Sequence, residues 1–417
     1  MAHLDRQRAS RLMSQAGIDA LILFSPESFS YATGTAPGVA TMWRQAGAVA
    51  VMVPLDSNMP ETAIVSDLFA KQFLKNSHIK DVRESPIWVE TTNIDHLDPD
   101  QAPESLIRSA WQGAGRSQGF ERPTTFDPQI CFRHLADALS ERGLSKKTIG
   151  FEASAISMLD FPKLKEAFGN VDLVDATKVV ARLKMVKSAS EIACLRQAVK
   201  IAEIGIRAVH DAIAQDVTRD QLAAVWSAAI ERHPDQAALS GSWEYISVGP
   251  DPWGANASAQ PGDLIKVDVG CLVDGYTSDS GRTYVLGPPE KLKIRLHEAL
   301  KQGFIAGSAL LRPGIALAQV HRATQNAIRE AGFPGYTRGH FGHGLGAGLG
   351  SEEWPFIAAD ATVVFEPGMV MAFECPWYID GLGGMIIENQ LLITETGHEM
   401  MNALPLDLVA VSYTHLT

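Results

Sequence analysis

The pattern of apolar and polar positions changes character near residue 184. Before it, short apolar runs at residues 19–24, 47–54, 63–66, 149–152 and 171–174 alternate with stretches of helical spacing, the first at residues 5–16. Strands interleaved with helices predict an α/β amino-terminal domain over residues 1–183. Residues 88–125 are rich in Pro, Asp, Asn and Gln and predict a long surface excursion.

Ser188-Ala-Ser-Glu191 opens the second half as a capping box. The serine hydroxyl accepts from the amide three residues on, and Glu191 reaches back. The helix that follows should carry Ile192, Leu195, Val199, Ala202, Ile206 and Val209 on one face. Thr218-Arg-Asp-Gln221 is a second box, opening a helix with Leu222, Val225, Trp226 and Ile230. Both stripes read as faces packed against a sheet. After Ser240, residues 263–272 and 276–286 alternate as strands, residues 292–311 and 315–331 read as helices, and a Gly-rich segment with two more strands follows. This predicts an α+β second domain with an antiparallel sheet over residues 184–410. Residues 411–417 resemble translated adapter sequence and read as a non-native tail, so the natural C-terminus is expected to be missing.

Length and composition then narrow the possibilities. The 417 residues suit two to three domains. Apolar residues at 46% and charged residues at 20% exclude a disordered chain and a disulfide miniprotein. Thirty-six basic against 48 acidic residues leave a net charge of −12, which argues against nucleic acid as a partner. Cys131, Cys194, Cys271 and Cys375 form no C-x-x-C pair, which disfavours zinc ribbons and redox motifs and suits a reducing compartment. No secretory leader and no apolar run long enough for a bilayer are evident, so a soluble cytoplasmic protein without membrane partners is expected.

The chemistry gathers after residue 260. Asp274-Gly275 is a strong two-residue turn signal. A turn there pairs Val273 with Tyr276, Gly270 with Asp279 and Asp268 with Gly281. Asp268 and Asp279 then share a face as diagonal neighbours, roughly 7–8 Å apart at Cα. Two carboxylates so placed suit metal ions about 3.5–4 Å apart. Gly270 and Gly281 are expected to leave open space beside them. Next comes Gly339-His-Phe-Gly-His-Gly-Leu-Gly-Ala-Gly-Leu-Gly350, with glycine at every second position from Gly342. Extended, it leaves one face bare for a close approach. It is neither a Walker loop nor a dinucleotide fingerprint, and His343 at its centre is a ligand candidate. Finally, Glu374 and Glu388 sit in apolar strands, where a carboxylate needs a partner or a metal. Two aspartates, two glutamates and one imidazole suit Mn²⁺, Fe²⁺, Co²⁺ or Zn²⁺.

These residues, in this order, resemble the creatinase / Xaa-Pro peptidase family, the pita-bread metallopeptidases (M24). The resemblance rests on residues 262–270, on Tyr276-Thr-Ser-Asp279-Ser-Gly-Arg-Thr283, on Gly342-His343-Gly-Leu-Gly, and on Glu374 and Glu388. Residues 17–27 and Tyr31-Ala-Thr-Gly34 look like the family's amino-terminal domain. The resemblance implies an α/β amino-terminal domain and an α+β pita-bread catalytic domain with a curved antiparallel sheet. It also implies two divalent metal ions (Mn, Fe, Co or Zn) bound by Asp268, Asp279, His343, Glu374 and Glu388. Glu374 would serve as general base to the attacking water, and the chain would form a homodimer acting on a small-molecule or dipeptide substrate.

Three positions depart from the family. Trp253 stands near the place of an upstream histidine, Gly350 lies where a histidine follows the ligand histidine by seven residues, and Ile386 replaces an arginine two residues before the last glutamate. Losing an oxyanion donor typically costs about 2.7–4 kcal/mol. His340 is the candidate replacement catalytic histidine. Trp253, Tyr276 and Trp354 are candidate substrate-binding residues. The expected function is a metal-dependent hydrolase of the Xaa-Pro aminopeptidase or dipeptidase type. Two alternatives stand beside it. One is a lyase similar to the metal-dependent dimethylsulfoniopropionate lyases, with Trp253 and Trp354 facing an onium group. The other is a non-catalytic binding protein on the same scaffold.

Overall fold

A computed structural model describes residues 3–232, 239–254, 257–348 and 352–412. Gly350 and residues 413–417 lie outside the described residues. The chain divides into two compact units, Met1–Leu183 and Lys184–Thr417.

The first unit is a six-stranded mixed sheet: β1 (Ala20–Leu23), β2 (Ala50–Pro54), β3 (Thr62–Ser66), β4 (Asp81–Ser85), β5 (Thr148–Phe151) and β6 (Asp172–Asp175), in the order β4-β3-β2-β1-β5-β6. Alternate residues of β1 and β2 feed two separate cores. Leu21, Leu23, Val51 and Val53 meet the helix Arg6–Ala16 through Ala9 and Met13. Ala20, Ile22, Ala50 and Met52 meet the helix Pro128–Glu141 through Phe132 and Leu135. A sheet covered on both faces explains the unbroken apolar runs in its central strands. Asp5 caps the first helix, accepting from the amides of Gln7 and Arg8. Sequence reasoning missed β4, whose Asp-Val-Arg-Glu-Ser is polar because it lies at the sheet edge. The expected surface excursion is also more ordered than its composition suggests. It contains the helix Pro103–Gly113, with Leu106 and Ala110 buried, and Trp88 packs against Trp43 at 5.5 Å between ring centroids.

The second unit is a curled, almost wholly antiparallel sheet. Its strands are β7 (Leu239–Glu244), β8 (Ser247–Val248), β9 (Leu264–Val273), β10 (Tyr276–Thr277), β11 (Ser280–Leu286), β12 (His340–Gly344), β13 (Glu353–Ala358), β14 (Val370–Ile379), β15 (Gly383–Ile393), β16 (His398–Met400) and β17 (Val409–Val411). The main path runs β10-β9-β11-β15-β14-β12-β13. The final strand pairs in parallel with β11, Val411 opposite Leu286, so the fold extends one residue past the boundary expected at 410. Both capping boxes form as expected, at Ser188/Glu191 and Thr218/Gln221.

Four helices cover one face of this sheet. Ile265, Val267, Val269 and Cys271 of β9 pack with the helices Ala189–Ala212 and Arg219–Glu231. Met371, Phe373 and Cys375 of β14 and Met385, Ile387 and Leu391 of β15 pack with the helices Lys291–Ser308 and Leu317–Glu330. Strand side chains alternate between faces, so the intervening positions, among them Lys266, Asp268, Glu374 and Glu388, are left for the opposite face. No helix among the described residues is long and apolar enough to cross a membrane.

His297 lies buried on the helix Lys291–Ser308. Burial, reinforced by Lys301, pulls its pKa down to about 4 from 6.5. The unfolded chain therefore takes up this proton first as pH falls. The contribution is fully present above pH 6.5 and is lost between 6.5 and about 4. The loss should be on the order of 3 kcal/mol. We expect His297→Leu to flatten the fall in urea-unfolding free energy over that window by about this amount. An unchanged slope would contradict the burial argument.

Candidate metal centre

The hairpin register follows the turn. Val273 pairs with Tyr276 and Asp268 with Gly281, as the spacing predicts. Gly281 also pairs with Glu388, and Glu388 with Glu374. Asp268, Glu388 and Glu374 therefore line up across β9, β15 and β14, separated only by Gly281 on β11. Asp279 enters from the link between β10 and β11, its amide donating to Gln390 Oε1 at 3.3 Å.

His343 reaches this face through an irregularity. Phe341 and His343 would share a face in a regular strand, yet Phe341 packs in the helix-covered core. Gly342 between them adopts φ +138°, and pairing with β13 slips at this point. A Cβ there would lie 2.1 Å from the Ala372 carbonyl oxygen. Only glycine admits both the backbone angle and the contact. His343 Nδ1 lies 3.0 Å from the Gly344 carbonyl oxygen, which makes Nδ1 the protonated nitrogen and leaves the Nε2 lone pair toward the carboxylates.

Asp279, His343 and Glu388 each place a donor atom within 4.8 Å of the others. His343 Nε2 is 3.5 Å from Asp279 Oδ2, and Asp279 Oδ1 is buried with no hydrogen-bond partner. Burial, and then the charges of Asp268 and Glu374, raise the Asp279 pKa well above its ordinary value. Burial and Asp279 do the same for Glu388. A buried carboxylate oxygen without a partner, beside a second carboxylate and an oriented imidazole, fits a divalent cation. Such a charge would reverse both shifts and keep the carboxylates ionised.

The other two expected ligands have cationic partners. Lys266 Nζ is 3.0 Å from Asp268 Oδ2. Arg338 Nη2 donates to Glu374 Oε1 at 2.7 Å, and its Nε donates to the His340 carbonyl oxygen at 2.6 Å. Sequence reasoning singled out neither cation. Lys266 stands two residues before Asp268, so strand period alone puts it on the same face. Arg338 precedes β12 and carries no such signal. A third missed residue is Arg282. It is buried in the sheet and donates to the carbonyls of Gly281 (2.7 Å), Glu388 (2.6 Å) and Leu404 (2.8 Å), fixing the backbone of two site strands.

His340 sits beside the centre, with Nδ1 3.7 Å from Glu374 Oε1 and Nε2 3.7 Å from Glu352 Oε2. With Trp354 it lines a cavity of about 530 Å³. Trp253 stacks on Tyr378, which shares β14 with Glu374, at 4.7 Å between ring centroids. Tyr276 lies elsewhere, in a buried cluster with Leu195 and Leu345, its hydroxyl 3.2 Å from Glu191 Oε1. The space expected beside the two hairpin glycines is filled. A Cβ at Gly270 would lie 2.5 Å from the Trp243 ring, and one at Gly281 would lie 2.8 Å from Ile386. Both glycines serve packing rather than an open cavity.

Gly342→Ala should lower the urea midpoint and weaken binding of a divalent ion to the chelated protein by about 10–100-fold, read by calorimetric titration. Unchanged affinity would mean that the irregularity does not aim His343.

The chain matches metallopeptidase family M24 over residues 193–395 and the creatinase/prolidase N-terminal domain over residues 6–186. It is 32% identical over 258 residues to a probable dipeptidase PepE of Mycobacterium bovis, covering 60% of this chain and 66% of that one. It is 26% identical over 281 residues to an Xaa-Pro dipeptidase of Lactobacillus helveticus, covering 66% and 75%. Among solved structures it superposes on dipeptidase PepE from Mycobacterium ulcerans with a TM-score of 0.72 at 26% identity, covering 98% and 97% of the two chains. An Xaa-Pro dipeptidase from Bacillus anthracis gives a TM-score of 0.75 at 21% identity, covering 97% and 99%.

Proposed function

We propose Xaa-Pro dipeptides and similarly small amides as the substrates of this chain, which belongs to metallopeptidase family M24 and is a metal-dependent peptidase. The observation that carries the reading is the convergence of Asp279, His343 and Glu388 around a buried, unpartnered carboxylate oxygen. A divalent ion held there would supply Lewis-acid activation of the scissile carbonyl and of water. Arg338 holds Glu374 Oε1, which leaves Oε2 to take the proton from the attacking water. His340, 3.7 Å from Glu374 Oε1 and on the cavity wall, would donate to the developing oxyanion or the leaving amine. Among the described residues, the cavity that His340 and Trp354 line adjoins the site through His340 alone, and it is proposed as the approach for the substrate.

The ion is proposed to be Mn, Fe, Co or Zn, since the donors are carboxylate oxygens and one imidazole. A second ion would require Asp268 and Glu374, both of which are paired to cations in this structure. A homodimer in the cytoplasm is proposed from the family resemblance and the cysteine pattern. The lyase and non-catalytic readings are not favoured. The relatives are named as peptidases and dipeptidases, and Asp279, His343 and Glu388 converge as a metal site would require.

The test is proton NMR of metal-loaded protein with a mixture of Xaa-Pro dipeptides and dimethylsulfoniopropionate. Free proline is expected, and Asp279→Asn should abolish it. His340→Ala should lower kcat by about 10²–10⁴-fold with metal content unchanged. Acrylate in place of proline, or proline release untouched by both substitutions, would overturn this reading.

A further inference from the structure

We propose that this chain holds one divalent ion, at Asp279, His343 and Glu388, and that the Lys266 ammonium and Arg338 guanidinium occupy the charge position of a second. The inference rests on the metal-dependent reading of the site and adds a residue-level reason for its stoichiometry.

Lys266 is built into the site. Its side chain is buried, with Nζ 3.0 Å from Asp268 Oδ2 and 5.2 Å from the centre of the Tyr378 ring. A Cβ at Gly384 would come within 3.3 Å of its Cδ, so the absence of a side chain there makes room for the stem. A buried ammonium is stable only with a counter-charge, and among the described residues Asp268 supplies it. Drawing Asp268 onto a metal ion would leave Lys266 buried beside two added positive charges. Arg338 places the same obstacle at Glu374, with Nη2 at 2.7 Å. Each of the two ligands that would complete a second position thus has one oxygen held by a cation, so a second ion would have to share both carboxylates with a positive charge already in place. The three that remain converge, and the oxygen left without a partner belongs to one of them.

Charge balance leads to the same number. Asp268, Asp279, Glu374 and Glu388 bring four negative charges, and Lys266 and Arg338 bring two positive ones. One divalent ion cancels the remainder. Two would leave a net positive charge in a site largely closed to water, where uncompensated charge is strongly disfavoured. Ile386 fits this arrangement: it fills the space over Gly281, and the guanidinium reaches Glu374 from Arg338 instead.

The experiment is equilibrium dialysis of the chelator-stripped 417-residue protein against Mn²⁺, with metal counted by plasma mass spectrometry and the bound ion read by electron spin resonance. Wild type should bind one ion per chain and give the signal of an isolated Mn²⁺. Lys266→Met keeps length and apolar bulk while freeing Asp268. It should admit a second ion, with a spin-coupled spectrum. Asp268→Asn should still bind one, which gives a second reading if Lys266→Met folds poorly by circular dichroism. Two ions on the wild type, or a drop to none in Asp268→Asn, would overturn the inference and leave the metallopeptidase reading intact. No ion on the wild type at millimolar Mn²⁺ would overturn both.

Discussion

Four carboxylates share one buried face of a single sheet, and their repulsion must be neutralised before that sheet can close. Asp268, Glu388 and Glu374 are brought into line by strand pairing, and Asp279 is added from the adjoining link. Helices on the opposite face hold the strands in that register through Val267, Val269, Phe373 and Ile387, so the acidic side chains cannot retreat to solvent. The structure divides the task. Lys266 and Arg338 meet Asp268 and Glu374 directly, while Asp279 and Glu388 respond to burial by favouring the protonated state. The metal-competent part of the site is thus the part that the chain's own cations do not reach.

Much of this was legible in the sequence because it is governed by local rules. The Asp274-Gly275 turn fixed the register of the hairpin, since every pair follows from the first. The two capping boxes located helix starts to the residue. Glu374 and Glu388 stood out because a carboxylate in an apolar strand demands an explanation. The glycine positions beside the aspartates were misjudged for the opposite reason. A missing side chain says that something comes close, but not whether it is a ligand, Trp243 or Ile386.

The cations were harder to read. A lysine in a strand pattern ordinarily marks a solvated position, and only the neighbouring Tyr378 and Gly384 reveal a built slot for Lys266. Arg338 belongs to no periodic element, so its approach to Glu374 is a property of tertiary packing alone. Tyr276 is a further residue whose surroundings the sequence did not reveal. An aromatic residue beside a ligand motif invites a substrate role, yet its hydroxyl is engaged by Glu191 from a helix 85 residues earlier.

The placement of Arg282 has a consequence for how the protein is made. Its guanidinium reaches Glu388 across 106 residues of sequence and Leu404 across 122. Contacts of such separation form late, because closing long loops must precede any reward from them. In a small zinc module the ligands lie close in sequence, and the ion can draw an unfolded chain together. Here the donors sit on segments that meet only once the sheet is assembled. An ion held there would therefore act as a latch on the finished molecule rather than as a seed for its folding.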